Sequence, residues 1–311
     1  MREIILSKPL FTFSIDVESW VHGRWASGSA KSLWPDSLAG YRAAFSADRP
    51  LDFPSSLEAT LGLIDELNIP TTFFVLVEMA ELFPSVIRSI KERGHEVALH
   101  GWHHVDNTRF SPEEFRSIIR RSRARLAEIA EQEIVGYRAP NLIIDSAQMG
   151  ILDEEGFLYD SSVCPSRSFL GKFSNMTGAP TVPYHPARHN LAKSGELSIV
   201  ELPLPVFPGL LLPGGTGILA RAFGGWWAKM AVESNLRKGY GLFYFHPYEV
   251  AEPFILPRRT PYMRLFTRNI GTPFREFVKS WLGGLKSQVD FVTAQELAKR
   301  VQSGKVKFKQ V

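Results

Sequence analysis

FTFSIDVESW, residues 11–20, joins an apolar run to two carboxylates, Asp16 and Glu18, that are separated by one residue. A short apolar run bounded by polar residues is typical of a strand that is buried on both faces, as in a parallel sheet. Side chains alternate between the two faces of a strand, so Asp16 and Glu18 would point to the same side. The stretch therefore predicts a central strand with two acids at its carboxyl end.

Further strands and helices alternate along the rest of the chain. TTFFVLV at 71–77 indicates a second buried strand. The segment 111–132 indicates a helix that begins with a capping box, with Ser111 at the cap and Glu114 three residues later. Alternating strands and helices indicate right-handed crossovers and a parallel sheet, and about seven such units can close into a barrel. We therefore predict an α/β fold, a distorted (β/α)7-type barrel of parallel strands.

The positive charge is concentrated near the end of the chain. The formal net charge is +4, but residues 254–311 alone contain twelve Lys and Arg against three Asp and Glu. This basic part favours an anionic partner such as a lipid phosphate or a membrane surface, unless it is only a solvated face. An apolar insertion around 204–227, interrupted by Pro and Gly, is expected either to rest on a membrane or to be a buried loop. We expect residues 1–311 to form one catalytic domain that includes both regions.

Several functional classes are disfavoured by the composition. Cys164 is the only cysteine, so neither an intramolecular disulfide nor a cysteine-based zinc site is expected. The sequence has no apolar run of about 18 residues and no signal-peptide pattern at its start, which predicts a cytoplasmic protein, with peripheral contact to the inner face of the membrane as an option. No motif combines aromatic and basic residues, so a nucleic-acid partner is not expected.

Half of the eight histidines lie in HEVALHGWHH, residues 95–104. His100 and His104 are four residues apart, which would place both imidazoles on one side of a helical turn, about 5–6 Å apart. Two imidazoles and one carboxylate form a site for a divalent metal with positions left for water and substrate. Either Asp16 or Glu18 could supply that carboxylate while the other stays free as a base, and Glu18 has the longer reach. The alternative is that one histidine belongs to the core and the others to the surface.

Two other unusual polar residues also follow predicted strands. Arg138 lies in GYRAPN at 136–141, and His246 lies in FYFHP at 243–247. Functional residues of such barrels lie at the carboxyl ends of the strands, so both would converge on Asp16. There Arg138 would hold Asp16 ionised, the acid that does not bind the metal would take a proton from water, and His246 would protonate a leaving nitrogen. The alternatives are ordinary loop or capping acids and a buried histidine bonded to the backbone.

These motifs, in this order, resemble those of the polysaccharide deacetylases, the NodB-homology group of metal-dependent carbohydrate esterases, in the branch with an acid-x-acid first motif. The resemblance runs from about residue 11 to residue 302. It implies a set of roles: Asp16 as catalytic base, Arg138 as the residue that orients it, His246 as catalytic acid, Asn141 at the oxyanion or substrate, and Glu18, His100 and His104 as metal ligands.

The function that the resemblance implies is hydrolysis of an N-acetyl or N-formyl group on an amino sugar. The metal would be Zn²⁺, with Co²⁺, Ni²⁺ or Mn²⁺ as alternatives. The substrate would be an oligosaccharide or a lipid- or nucleotide-linked intermediate of surface polysaccharide synthesis, including a sugar on polyprenyl phosphate. Two alternatives stay open: hydrolysis of a non-sugar amide or cyclic ureide on the same fold, and a catalytically silent, metal-containing glycan-binding protein. Glu201 is the candidate for the acid that tunes His246.

Overall fold

The computed structural model of the chain describes residues 8–22, 52–168, 175–252 and 261–308. The strands within these residues are β1 (Leu10–Val17), β2 (Thr72–Val75), β3 (Glu96–Leu99), β4 (Gly136–Tyr137), β5 (Tyr159–Asp160), β6 (Pro186–Ala187), β7 (Asn190–Ser194), β8 (Val200–Glu201), β9 (Val206–Phe207), β10 (Leu212–Pro213), β11 (Tyr240–Phe245) and β12 (Asp290–Phe291).

The α-helices of the same residues are α1 (Ser55–Leu67), α2 (Val77–Leu82), α3 (Pro84–Glu92), α4 (Pro112–Ala130), α5 (Ser146–Glu154), α6 (Gly217–Phe223), α7 (Gly225–Leu236), α8 (Pro261–Phe266), α9 (Thr272–Leu285) and α10 (Ala294–Gln302). Four short 3-10 turns follow strands β1, β3, β4 and β11 in the chain. They are Trp20–His22, Asn107–Arg109, Pro140–Leu142 and Pro247–Glu249. None of the described helices is long and apolar enough to cross a bilayer.

The main sheet is parallel throughout and curls into a half-barrel with helices on its outer side. Its strand order is β11-β1-β2-β3-β4-β5-β8, and β12 pairs with the first residues of β1. The other neighbours in this order are also parallel pairs. This arrangement confirms the predicted α/β barrel-type fold.

Strand β1 lies inside this sheet between β11 and β2, and all eight of its residues are buried. Four alternate side chains join the main hydrophobic core: Phe11, Phe13, Ile15 and Val17. The side chains between them, including Ser14 and Asp16, are polar and point to the opposite face. The strand therefore anchors the core on one face and carries the site residues on the other.

The sequence located most elements, although several bounds differ in the structure. The helix predicted at 111–132 is α4, and both halves of its capping box are present. Residues 217–236 form two helices, α6 and α7, because Gly224 adopts a φ of 101° and separates them. Strand β2 is shorter than predicted, since α2 already begins at Val77.

The two hairpins, β6–β7 and β9–β10, were not predicted from the sequence. Three of their strands have only two residues each, and the five residues of β7 are mostly exposed and show no regular alternation. The apolar insertion at 204–227 contains the second hairpin, helix α6 and the start of α7. Within the basic part, 254–260 and 309–311 lie outside the described residues, and the rest of it forms α8, α9, β12 and α10.

Candidate active site

The predicted site residues meet at the carboxyl edge of the sheet. Asp16 is the penultimate residue of β1 and Glu18 follows that strand. His100 follows β3, Arg138 follows β4 and His246 follows β11. All five are buried. The carboxyl ends of parallel strands share one edge, so residues more than 200 positions apart in the chain become neighbours.

A group of possible metal ligands forms the centre of the site. The ligand atoms of Glu18, His100 and His104 all lie within 4.8 Å of one another. Nε2 of His104 is 2.9 Å from Oε2 of Glu18. Nδ1 of His100 is 2.8 Å from the carbonyl oxygen of Arg138, and a ring N–H donated to this oxygen leaves Nε2 available to a metal. Two imidazoles and a carboxylate fit a divalent cation such as Zn²⁺.

The protonation state of His100 suits such a ligand. Burial lowers the pKa of His100 to about 4, and the nearby carboxylates of Asp16 and Glu18 only partly oppose this effect. The imidazole is therefore neutral at neutral pH. A metal binds the neutral form, so binding at this position does not require a proton to be displaced.

Asp16 is held by a buried arginine. Nη1 of Arg138 donates to Oδ1 of Asp16 over 2.6 Å, and Nη2 of Arg138 donates to Oγ of Ser161 over 2.9 Å. The guanidinium is fully buried and lies 4.0 Å from the ring centroid of Phe74 and 4.9 Å from that of Tyr244. A charge-assisted bond between planar groups fixes the orientation of the Asp16 carboxylate.

His246 lies between two carboxylates. Its Nε2 is 2.7 Å from Oε1 of Glu18, and its Nδ1 is 2.7 Å from Oε1 of Glu249. Burial lowers the pKa of His246, but the two carboxylates outweigh burial and raise this pKa to about 10. The imidazole is therefore a cation at neutral pH and has a proton to donate.

Glu18 connects the ligand group to this imidazolium. Burial opposes ionisation of Glu18, yet the imidazoles of His104 and His246 outweigh burial and hold its pKa well below the usual value. One carboxylate oxygen faces His104 and the other faces His246. The proton donor thus lies directly beside the group that could hold a metal.

The acid that supports His246 was assigned wrongly from the sequence. Glu201 is not in contact with His246: it accepts from the backbone N–H of Val163, and burial together with Asp160 raises its pKa well above the usual value. Glu249 is the acid that contacts His246. It also accepts from the backbone N–H of His246 over 2.9 Å, so the signal in the sequence is the HPYE spacing of a short capped turn.

Glu249 is itself neutralised by a second buried arginine. Nε of Arg221 in α6 lies 2.5 Å from Oε2 of Glu249, and both side chains are buried. Burial raises the pKa of Glu249, but the charges of Arg221 and His246 outweigh this and lower it. Gly217 at the start of α6 makes the close approach possible, because a Cβ there would lie 2.5 Å from Cβ of Phe245 and 2.9 Å from Oε2 of Glu249.

Asn141 lies in the turn after Arg138 and has a left-handed φ of 57°. Its side-chain Oδ1 is buried and has no hydrogen-bond partner among the described residues. Hydrogen bonds of Ser162 fix the start of this turn. Its Oγ accepts from the N–H of Ala139 and donates to Oδ1 of Asp160. This places a polar side chain at the site edge, and its role toward an oxyanion or substrate remains a prediction.

A further acid that the sequence did not reveal lies behind His104. Oε2 of Glu78 is 2.6 Å from Nδ1 of His103, and its Oε1 is 3.4 Å from Nε2 of His22. The ring of His22 is 5.7 Å from that of His104. Glu78 therefore supports the loop that carries the ligand, and only the folded chain brings these residues together.

Comparison with known proteins points to one family. Residues 47–159 match the family model for polysaccharide deacetylase. A peptidoglycan deacetylase-like protein from Gibberella zeae is 29% identical over 149 residues, which make up 46% of this chain and 44% of that protein. The chain thus spans somewhat less than half the length of this curated relative.

Solved structures show a similar fold. A protein from Mycobacterium smegmatis described as a polysaccharide deacetylase superposes with a TM-score of 0.61 at 22% identity, covering 100% of this chain and 97% of the other. An allantoinase superposes with a TM-score of 0.59 at 17% identity, covering 94% of this chain and 90% of the other. At such identities the likeness shows the fold alone.

Proposed function

We propose that the chain is a member of the polysaccharide deacetylase family and a metal-dependent hydrolase that removes an acetyl or formyl group from the nitrogen of an amino sugar. The observation that carries this proposal is the position of Glu18. Its carboxylate is within 4.8 Å of ligand atoms of His100 and His104, and it also contacts the imidazolium of His246. A ligand group and a proton donor therefore share one carboxylate.

Glu18, His100 and His104 would hold the metal. The donor set suits Zn²⁺, while Co²⁺, Ni²⁺ and Mn²⁺ also accept imidazole and carboxylate ligands. When bound, such a cation polarises an acyl oxygen and lowers the pKa of water. The carbonyl oxygen of Arg138 holds His100 in the tautomer that leaves Nε2 for the ligand position.

The other residues move protons and position the substrate. Asp16, oriented by Arg138, accepts the proton of the attacking water. His246 donates a proton to the amide nitrogen as the carbon–nitrogen bond breaks. The products are a free amine on the sugar and the acetate or formate. We assign Asn141 to the substrate because its buried Oδ1, an acceptor without a partner among the described residues, could take a hydrogen bond from a substrate N–H or hydroxyl. An oxyanion needs a donor instead, and we assign that role to a backbone N–H near Asn141.

The proposed substrate is an N-acylated amino sugar that carries a phosphate, on a lipid or a nucleotide carrier, or an oligosaccharide of surface polysaccharide synthesis. The excess of Lys and Arg in 254–311 supports a phosphate-bearing substrate. A cyclic ureide is not favoured, since the likeness to the allantoinase concerns the fold alone.

An assay of acid release tests the proposal. The protein is stripped with a chelator and incubated with N-acetylated and N-formylated amino-sugar oligosaccharides, and free acetate or formate is measured. We expect release only after Zn²⁺ or another divalent metal is restored. His95→Gln is a matched control, since His95 lies at the opposite end of β3 from His100. Undiminished release by the metal-free protein, or no release with any metal, would contradict the proposal.

A further inference from the structure

The exposed large apolar side chains of the described residues are gathered in one region of the chain. They are Leu210 (52% exposed), Phe223 (37%), Trp226 (53%), Met230 (44%) and Leu265 (37%), which we call the Trp226 patch. Scattered single residues of this kind are ordinary, whereas a contiguous apolar surface marks a contact site. The patch belongs to the β9–β10 hairpin and to helices α6, α7 and α8.

Ring contacts join Trp226 and Phe223 of the patch to buried aromatic rings beneath them. Trp226 packs edge-on against Phe207 with 5.6 Å between ring centroids, and Phe223 lies 5.0 Å from Trp227. Nε1 of Trp226 donates to the carbonyl oxygen of Phe223 over 2.8 Å, so the indole N–H is satisfied while its ring stays exposed. Met230 is one helical turn beyond Trp226 on α7 and shares its face.

A small buried cluster supports the patch from beneath. Its buried members are Phe207, Leu219, Ala222, Trp227 and Phe266. The rings of Phe207 and Trp227 stack at 4.1 Å, and Nε1 of Trp227 donates to the carbonyl oxygen of Pro213. Leu265 is next to Phe266 in α8. The hairpin and the three helices therefore form one packed unit that presents its aromatic side chains outward.

Acidic residues are sparse around the patch, and the nearest one along α7 is the exposed Glu233, three residues after Met230. Neither residues 202–232 nor residues 253–275 contain an Asp or Glu. Arg264 and Arg268, in and just after α8, are exposed. Exposed Trp and Phe rings flanked by arginines fit the interface of an anionic phospholipid bilayer, where aromatic rings lie at the headgroup level and each basic residue adds an attraction.

The patch is bonded to the proposed active site through one side chain. Arg221 in α6 contacts Glu249, the acid beside His246, and its Nη1 also donates to the carbonyl oxygens of Phe266 and Arg268. The helices that carry the patch are thus joined to the residue that holds the proton donor. A bilayer against the patch would lie one helix away from His246.

We propose that the Trp226 patch docks on an anionic phospholipid bilayer, where the enzyme takes its N-acyl sugar from a lipid carrier rather than from a nucleotide. The statement about the carrier rests on the proposed function, whereas the docking surface does not. Docking would leave the acyl sugar at the carboxyl edge of the sheet while the lipid chain stays in the membrane.

Vesicle binding by the full chain tests the docking surface. Co-sedimentation is measured with phosphatidylcholine vesicles, with and without an equal share of phosphatidylglycerol, at low and high salt. We expect binding that requires phosphatidylglycerol and weakens with salt. Substitution of Phe223→Ser with Trp226→Ser should lower the affinity by about tenfold or more, because interfacial binding scales with buried apolar area. Vesicles with brominated acyl chains should quench the tryptophan fluorescence of the wild type and do so less in this double variant.

Two matched double variants distinguish the effect of the arginines beside the patch from the effect of the protein's net positive charge. Arg264→Gln with Arg268→Gln should reduce binding, whereas Lys193→Gln with Lys305→Gln, which removes two exposed charges from other parts of the surface, should not. Absence of binding by the wild type, or equal binding by the double serine variant, overturns the docking surface. A wild-type dimer that the serine variant converts to a monomer, without vesicle binding, shows that a second copy covers the patch instead.

The carrier is tested by activity on two substrates. The serine variant should retain wild-type release of acid from a short water-soluble N-acyl sugar but lose most release from the same sugar on polyprenyl phosphate in vesicles. Equal loss on both substrates, or a wild-type preference for the nucleotide-linked sugar, overturns the statement about the carrier. Failure of the proposed function gives a different result, because vesicle binding would persist with no acid release from any substrate.

Discussion

Nδ1 of His246 lies 2.7 Å from Oε1 of Glu249, three residues further along the chain. The same carboxylate contacts Arg221 through its other oxygen. A proton on Nδ1 is therefore held by a fixed acceptor, and Nε2, which contacts Glu18, is the ring atom on the side of the metal-ligand group. Once a cation neutralises Glu18, Glu249 becomes the main negative charge that favours the protonated form of His246.

Replacing Glu249 with Gln should shift the pH dependence of the reaction. Glu18 and Glu249 outweigh burial and raise the pKa of His246, so removal of one of these charges lowers it. The acid form of His246 is then lost at a lower pH as the solution becomes more alkaline. We expect the alkaline limb of kcat/KM for acid release to move to lower pH, with a larger loss of activity at high pH than at low pH.

The control for this experiment is Glu252→Gln, a change of the same kind at an exposed acid three residues later. Its pH profile should match that of the wild type. An alkaline limb that stays in place in the Glu249→Gln variant would show that Glu249 does not act through the protonation of His246.

Asp16→Asn should abolish turnover without removing the metal. The amide keeps the shape of the side chain but accepts a proton poorly, and loss of a general base typically lowers kcat by about 10²–10⁴. The variant should also be less stable, because the fully buried Arg138 loses its ionised partner. Steady-state acid release and metal content per chain check both points. A rate near that of the wild type would refute the role given to Asp16.

Glu18→Gln, unlike Asp16→Asn, should weaken the binding of the metal itself. It removes the only carboxylate of the ligand group formed by Glu18, His100 and His104, so Zn²⁺ affinity in a calorimetric titration should fall by at least about tenfold. The matched control is Glu81→Gln, which breaks a partly exposed contact with Arg125 and should leave the affinity unchanged. Full Zn²⁺ binding by Glu18→Gln would mean that the metal ligands lie elsewhere.

The edge where the site residues meet was predictable from the sequence. The apolar run of β1 ends in Asp16 and Glu18, and parallel strands place such ends together, so the convergence of Arg138 and His246 on this edge followed from topology. The roles of these residues remain predictions, because contacts alone show proximity and not function.

The supporting residues were not predictable in the same way. Glu78 and Arg221 lie on helices and act on loops far away in the chain, and no local period marks such contacts. Glu201 was misjudged because its position in β8 pairs it with Asp160 of β5, a register that the sequence does not state. The separation of α6 from α7 depends on the left-handed φ of Gly224.

Two glycine-to-alanine substitutions should change stability in opposite directions. Gly284 lies within α9, and a Cβ there would meet no atom within 4 Å. Alanine is favoured over glycine in a helix by about 1 kcal/mol, so Gly284→Ala should raise the free energy of unfolding by about 0.5–1 kcal/mol. Gly94 also has open space, but its φ is 81°. Alanine is strained by about 1–2 kcal/mol in this region, so Gly94→Ala should lower stability. Urea denaturation of both variants measures the difference, and an equal change in the two would show that backbone conformation does not determine the outcome.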